Sequence, residues 1–118
     1  MAKGALFIGW GPGIPGRAQK ALQVFNEAIQ YYTGLQQQGE IDGFEPFLLE
    51  PHGGDLNGFL LIRGDRGKLD QLRSSQEFTR LNTRAGLVVQ NLGVAAAYTG
   101  DELQTQLADF QQQLSELD

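Results

Sequence analysis

Cysteine is absent from this 118-residue chain, and histidine occurs only once, as His52. Without thiols the chain forms neither a disulfide nor a thiolate metal site. A single imidazole also argues against a transition-metal site, because such sites draw on several nitrogen or sulfur ligands. We therefore predict no metal, and we expect any chemistry to proceed without a cofactor.

Long hydrophobic runs are lacking as well. No run approaches the ~20 apolar residues that a membrane-spanning helix needs. Residues 1–4 lead straight into a short strand-like run, without the apolar region or cleavage site of a signal peptide. Together with the missing cysteine, these features favour a cytoplasmic protein without a membrane partner. The apolar content of 41% is that of a globular chain, so we expect a single domain over residues 1–118.

The chain has no excess of positive charge, since its formal net charge is −5. Such a field repels nucleic acid unless the basic residues cluster. The only concentration of basic residues lies between residues 63 and 84, where Asp65, Asp70 and Glu77 interrupt it. This pattern is typical of the solvated face of a helix, and we predict no nucleic-acid partner.

The most informative stretch is residues 44–65, where two apolar runs flank a turn rich in Pro, Gly, Asp and Asn. This pattern predicts a β-hairpin, with strands at about 41–50 and 57–63. Further strands are predicted at 5–10 and 94–98, and helices at 15–38, 66–85 and 100–117. The order is β-α-β-β-α-β with an extra C-terminal helix. This is the α+β, ferredoxin-like arrangement, in which helices cover one face of an antiparallel sheet.

Capping signals mark three helix starts. Asp65 is placed to cap a helix that begins near Arg66. Ser74, with Glu77 three residues later, predicts a break and a second cap within the 66–85 segment. Thr99 and Glu102 form another such pair. The last helix carries its large apolar residues at a 4-3-4-3 spacing, which predicts a narrow seam for one partner surface.

Both faces of the predicted hairpin are apolar, because side chains alternate across a sheet. Phe59 and Leu61 point to one side of the third strand, whereas Leu60 and Ile62 point to the other. One layer of helices covers only one of these faces, and the last helix is too narrow to cover the second. A bare apolar face is an interaction site, so we expect a homodimer packed sheet to sheet.

At this level the chain resembles the dimeric α/β-barrel proteins, including the muconolactone isomerase-like, antibiotic-biosynthesis monooxygenase-like and stress-response barrel families. The resemblance covers nearly the whole chain. It rests on the order of elements and on the segment Leu69-x-x-Leu72-x-Ser74-Ser75-x-Glu77-Phe78, which looks like their broken second helix. It implies a pocket between sheet and helices that takes a small hydrophobic or aromatic molecule.

The loop Gly11-Pro12-Gly13-Ile14-Pro15-Gly16 matches G-x-G-x-x-G between a strand and a helix. This spacing is found in dinucleotide-binding loops. Pro12 and Pro15, however, remove N–H donors that would hold a pyrophosphate, and the next two strands form a hairpin rather than a parallel crossover. A stiff connector or the lip of a pocket is the favoured interpretation, and nucleotide binding is kept as an alternative.

His52 is a candidate general base in the hairpin turn, where Glu50 could orient its ring. The competing interpretation is an exposed turn residue. Arg63 is a candidate catalytic or anion-binding residue, and Glu45 shares its strand face. If Glu50 pairs with Gly58, then Glu45 lies opposite Arg63 and the two form a structural ion pair. A register slip of two residues would separate them.

Trp10 and Tyr98 lie at the ends of predicted strands, where pockets open, and we expect them to bind a ligand together with Glu45 and Glu50. The leading hypothesis is a homodimer that binds a small enolisable or aromatic molecule, or converts it by proton transfer or oxygenation. The alternative is a non-catalytic module that acts through assembly or partner binding.

Overall fold

The structure is a computed structural model that describes residues 2–118. The strands are β1 (Lys3–Trp10), β2 (Gly43–Leu48), β3 (Gly58–Asp65) and β4 (Gly93–Ala97). The helices are α1 (Ala18–Gln37), α2 (Arg66–Arg73), α3 (Gln76–Gly86) and α4 (Gly100–Leu117). No helix in the described part of the chain is long and apolar enough to cross a membrane.

The strands form one antiparallel sheet in the order β2-β3-β1-β4. The predicted β-α-β-β-α-β order with a fourth helix at the end is therefore confirmed. β2 and β4 are the edges of the sheet. Pro46 lies within β2, where its missing N–H does not cost a ladder hydrogen bond, because proline is tolerated on edge strands.

The core lies between the sheet and helices α1, α2 and α3. Leu6 and Ile62 are fully buried at the centre of the sheet, and Tyr32 of α1, Leu69 of α2 and Phe78 of α3 pack over them. All of these side chains lie on the same face of the sheet. The expected arrangement of helices on one face only is therefore present for α1, α2 and α3.

The register of the hairpin differs by two residues from the one in which Glu50 pairs with Gly58. Phe47 pairs with Phe59 and Leu48 pairs with Gly58, so Glu45 lies opposite Leu61 rather than opposite Arg63. The slip leaves each side chain on its predicted face, as a shift by an even number must. It does not separate the charges as expected, because Arg63 reaches Glu45 along the diagonal and hydrogen-bonds its carboxylate.

Helix α1 begins later than predicted. We expected Pro15 in the first turn, but the helix starts at Ala18 and Arg17 is its N-cap residue. Gly16 takes a φ of +83°, a conformation that suits glycine and that interrupts any helix beginning at Pro15. The far end agrees with the sequence, since Gly39 follows the helix with a φ of +76°.

The break between α2 and α3 is confirmed, but its cap is Ser75 and not Ser74. The Ser75 hydroxyl accepts a hydrogen bond from the Phe78 N–H at 3.3 Å. Ser74 is the C-cap residue of α2, and its hydroxyl donates back to the Asp70 carbonyl. The predicted cap of α2 is correct, since the Asp65 carboxylate accepts from the Lys68 N–H at 3.1 Å.

These two adjacent serines give a matched test of the cap. Ser75→Ala removes the acceptor of the first turn of α3 and is expected to lower the free energy of unfolding by about 1 kcal/mol. Ser74→Ala removes only a hydroxyl that bonds within its own helix end, and we expect a change of less than about 0.5 kcal/mol. Urea unfolding of both variants measures the difference. Equal losses would show that the cap is misassigned.

Candidate functional site

A cavity of about 450 Å³ lies between the sheet and helices α1 and α3. Ile8 and Leu60 form its floor on the sheet, Val24 and Phe25 line it from α1, and Leu81 lines it from α3. The segment between α3 and β4 closes one side. This is the place at which the resemblance to α/β barrels implied a pocket.

Trp10 is the one predicted ligand-binding residue that lines this cavity. Its indole meets the ring of Phe25 edge to face, with 6.1 Å between the ring centroids. Gly58, which pairs with Trp10 on β3, makes room for the indole, because a Cβ at that position would collide with it. The last residue of β1 is therefore held in place as part of the cavity wall.

Two polar side chains, Tyr32 and Asn82, reach the cavity wall. Tyr32 is 1% exposed, and burial raises the pKa of its hydroxyl well above the ordinary value, so the group stays neutral. Asn82 donates to the Phe78 carbonyl at 2.9 Å, and its side chain lies beside that of Tyr32. Among the described residues that line the cavity none is charged.

The glycine-rich loop after β1 packs against the segment between α3 and β4. The Gly11 N–H donates to the Gln90 carbonyl at 2.8 Å, and the Ile14 N–H donates to the Val88 carbonyl at 2.9 Å. These donors are therefore already used, which weighs against a phosphate-binding loop. Gly13 lines the cavity, in agreement with the alternative that the loop forms the lip of a pocket.

His52 lies in the exposed loop between β2 and β3, and its Nε2 is 2.8 Å from the Leu56 carbonyl oxygen. Glu50 is exposed in the same loop, beyond the end of β2. Neither residue lines the cavity. The role of His52 as a base and the role of Glu50 as a ligand contact therefore stay predictions. Both residues would act in the hairpin loop and not in the cavity.

The face of the sheet that the helices leave uncovered carries Phe7, Phe47, Phe59 and Leu61, and we call it the open face. Phe47 stacks on Phe59 with 4.7 Å between centroids, and Phe59 lies 5.3 Å from Phe7. Phe47 is 36% exposed even within this row of rings. The row continues across three strands, so the apolar surface is contiguous.

Arg63 and Glu45 lie together on the open face as an ion pair. Both side chains are about half exposed. Exposed pairs contribute only about 0–1 kcal/mol, which agrees with the structural interpretation of the two residues. The structure thus brings these two predicted residues together but on the side of the sheet opposite the cavity, and their catalytic and binding roles stay predictions.

Tyr98 also lies outside the cavity, beside a partly buried ion pair. Arg66, at the start of α2, donates from Nε and Nη2 to the two carboxylate oxygens of Glu102 on α4, at 2.8 and 2.7 Å. Its guanidinium carbon lies 5.6 Å from the centroid of the Tyr98 ring, a cation–π contact. We call this cluster the Arg66 anchor, because it joins α4 to the body.

The Arg66 anchor also explains two sequence features. Arg66 Nη2 donates to the carbonyls of Ala5 and Ala97, and a Cβ at Gly4 would collide with the ion pair. Gly4 is therefore the residue that leaves space for it. Thr99 makes no side-chain cap hydrogen bond, so the second predicted capping box was wrong, because its Glu102 is bound to Arg66 instead.

Sequence reasoning missed the polar pair of the cavity. Tyr32 is buried on the inward face of α1, and no pattern in the sequence indicates that it contributes to a cavity wall. Asn82 was not singled out at all. Its position could have been predicted, because Asn82 lies four residues after Phe78 and therefore on the same, inward face of α3.

No family model matches this chain, and no curated protein matches it by sequence. Solved structures do match it in fold. A dimeric ferredoxin-like protein of unknown function from a Jannaschia species is 15% identical; the match covers 83% of this chain and 100% of that chain, with a TM-score of 0.64. A Dabb family protein with a ferredoxin-like fold from Mesorhizobium loti is 7% identical, covers 84% and 99%, and gives a TM-score of 0.64.

A third neighbour, from Deinococcus radiodurans, is named as a candidate antibiotic biosynthesis monooxygenase. It is 11% identical; the match covers 84% of this chain and 93% of that chain, with a TM-score of 0.57. The chain has the ferredoxin-like fold. The resemblance to α/β-barrel proteins expected from the sequence is thus confirmed at the level of the fold. Identities this low carry no activity from these neighbours to this protein.

The Arg66 anchor predicts a pH-dependent contribution to stability. The hydrogen bond from Arg66 lowers the pKa of Glu102 below its ordinary value of 4.5. The ion pair therefore stabilises the fold fully above that value and loses its contribution as the pH falls through the lowered pKa. Glu102→Gln is expected to lower the free energy of unfolding by about 1–3 kcal/mol at neutral pH.

Urea unfolding of the wild type and of Glu102→Gln across the acid range measures this effect, and the difference between them should shrink as the carboxylate is protonated. Glu116→Gln is the matched control, because Glu116 is exposed near the far end of the same helix. A pH-independent difference, or an equal loss in both variants, would contradict the assigned role of the pair.

Proposed function

We propose that this protein binds a small, uncharged, largely apolar molecule in the cavity between its sheet and helices. The observation that carries the proposal is the cavity itself. Its volume of about 450 Å³ lies within the range of about 300–1,000 Å³ that is typical of ligand pockets. Its walls are apolar side chains, which favour an apolar guest by removing its surface from water.

The cavity walls favour binding over acid–base catalysis. A general acid or base needs a group that changes protonation near the working pH. The only titratable side chain on the described wall is Tyr32, whose pKa is raised further from neutrality by burial. His52 and Arg63, the candidate catalytic residues, are elsewhere. The polar tips of Tyr32 and Asn82 would instead orient one polar group of the guest.

Trp10 provides a direct test, because it is the only tryptophan of the chain and it lines the cavity. Titration with a naphthol, an uncharged aromatic probe of suitable size, is expected to change the indole fluorescence in a saturable way. Ala21→Leu, which places a larger side chain on the cavity wall, should weaken binding about tenfold by occupying the space of the guest.

Ala108→Leu is the control for this experiment, because Ala108 is exposed on α4 and makes no part of the cavity wall. Circular dichroism of both variants establishes that the fold is kept. An unsaturable fluorescence change, or equal affinity for wild type and Ala21→Leu, would mean that the cavity is not a binding site.

We also propose that two copies of the chain pack through their open faces. The support is the contiguous row of rings of Phe7, Phe59 and Phe47, which no helix of the described chain covers. Contiguous apolar surface of this kind is costly in water and is typical of interfaces. A solved protein of the same fold is named as dimeric, which agrees with such an assembly.

Phe47→Asp tests this interface, because it places a carboxylate in the middle of the open face at a side chain that is already partly exposed. At low protein concentration, sedimentation velocity should show the wild type as a dimer and the variant as a protomer, since a charge buried in an apolar interface is unfavourable. Leu87→Asp, on an exposed loop of the helical side, should stay dimeric. A monomeric wild type would rule the interface out.

A further inference from the structure

Helix α4 has no packed face in the protomer. None of its residues is buried, and among the elements of the described chain its backbone approaches only β1. Its five large apolar residues are all at least 41% exposed: Leu103, Leu107, Phe110, Leu114 and Leu117. Most helical stability in proteins comes from packing an apolar face, so α4 lacks the contact that would stabilise it.

The shape of the molecule shows the same arrangement. A compact domain of 118 residues has a radius of gyration of about 13.5 Å. The observed value is 16.3 Å, and the longest dimension is 53 Å. The Arg66 anchor holds the first turn of α4, at Glu102, and the rest of the helix extends beyond it. α4 therefore does not fold back over the open face of its own sheet.

The apolar residues of α4 form the seam of a coiled coil. Leu107 and Leu114 take the a positions of the heptad, and Leu103, Phe110 and Leu117 take the d positions. This 3.5-residue spacing gives a stripe one side chain wide, which fits between the side chains of one other helix. A helix that packed on a sheet or a broad core would show a wider stripe.

The positions beside the seam are neutral. In a two-stranded coiled coil the e and g positions flank the contact, and here they are four glutamines: Gln104, Gln106, Gln111 and Gln113. The carboxylates within α4, at Asp101, Glu102, Asp109 and Glu116, take the outward b and c positions. Two copies of α4 can therefore meet along the seam without bringing like charges together along its length.

The distribution of charge favours a second α4 over an unrelated partner. Residues 100–118 contain five carboxylates and no basic residue, so they carry the whole net charge of −5. A basic partner would be recognised by charges next to the contact, but the carboxylates point away from it. A partner that placed acidic side chains beside the seam would be repelled. A second α4 fits the seam, because the positions beside its own seam are neutral as well.

We propose that α4 pairs along this seam with α4 of a second copy of the chain. The pair buries the five exposed apolar residues and leaves the carboxylates of Asp101, Asp109 and Glu116 in water. It involves none of the residues of the cavity or the open face. Because each helix is only 18 residues long, the pair is weak for isolated helices, and we expect it to strengthen with protein concentration.

Cysteine cross-linking tests the pairing, since the chain has no thiol of its own. Phe110 is the middle residue of the seam, so it lies near its own copy whether the helices run parallel or antiparallel. Phe110→Cys under mild oxidation should yield disulfide-linked dimers, visible on a non-reducing gel. The rate should exceed that of the control about tenfold or more, because paired thiols meet at a high effective concentration.

Gln112→Cys is the matched control, because Gln112 is exposed on the outward side of α4, two residues away. Equal cross-linking of the two variants, or none in either, would overturn the proposal. A Phe110→Asp variant adds a second readout: its self-association should weaken. If Phe110→Asp weakens association while Phe110→Cys does not cross-link, α4 packs on another surface and the seam pairing is wrong. Phe47→Asp leaves the seam intact, so a loss of the open-face interface can be distinguished from a loss of the α4 pairing.

Discussion

A four-stranded sheet with two apolar faces and one layer of packed helices is the constraint on which this structure depends. On one side Leu6 and Ile62 are fully buried under α1, α2 and α3. On the other side Phe7, Phe59 and Phe47 form a row of stacked rings without a cover. The first face makes a core and a cavity, and the second leaves apolar surface that water does not solvate well.

The cavity and the uncovered apolar surfaces follow from this division. Loose packing between sheet and helices leaves the cavity, and Trp10 at the end of β1 lines it. The open face and α4 are the apolar surfaces that the described part of the chain leaves exposed. They are chemically different, since one is a broad aromatic row and the other is a narrow stripe between glutamines. A molecule that uses both would associate through two separate interfaces.

The fold was predictable from local signals, and the site was not. The hairpin turn, the break near Ser74 and the Asp65 cap each depend on a few adjacent residues, and the structure contains all three. The register of β2 against β3 depends on packing across the sheet, so the sequence left it open between alternatives two residues apart. The cavity joins Trp10, Tyr32 and Asn82 from three separate elements, and no local pattern in the sequence connects them.

The segregation of charge has a consequence for behaviour in solution. Residues 1–99 carry equal numbers of acidic and basic side chains, whereas α4 and the last residue hold the entire surplus. Mutual repulsion between molecules keeps proteins dispersed, and it fades as the net charge approaches zero. The C-terminal helix thus supplies the net charge of an otherwise electroneutral body, and a fragment without it would lose this mutual repulsion.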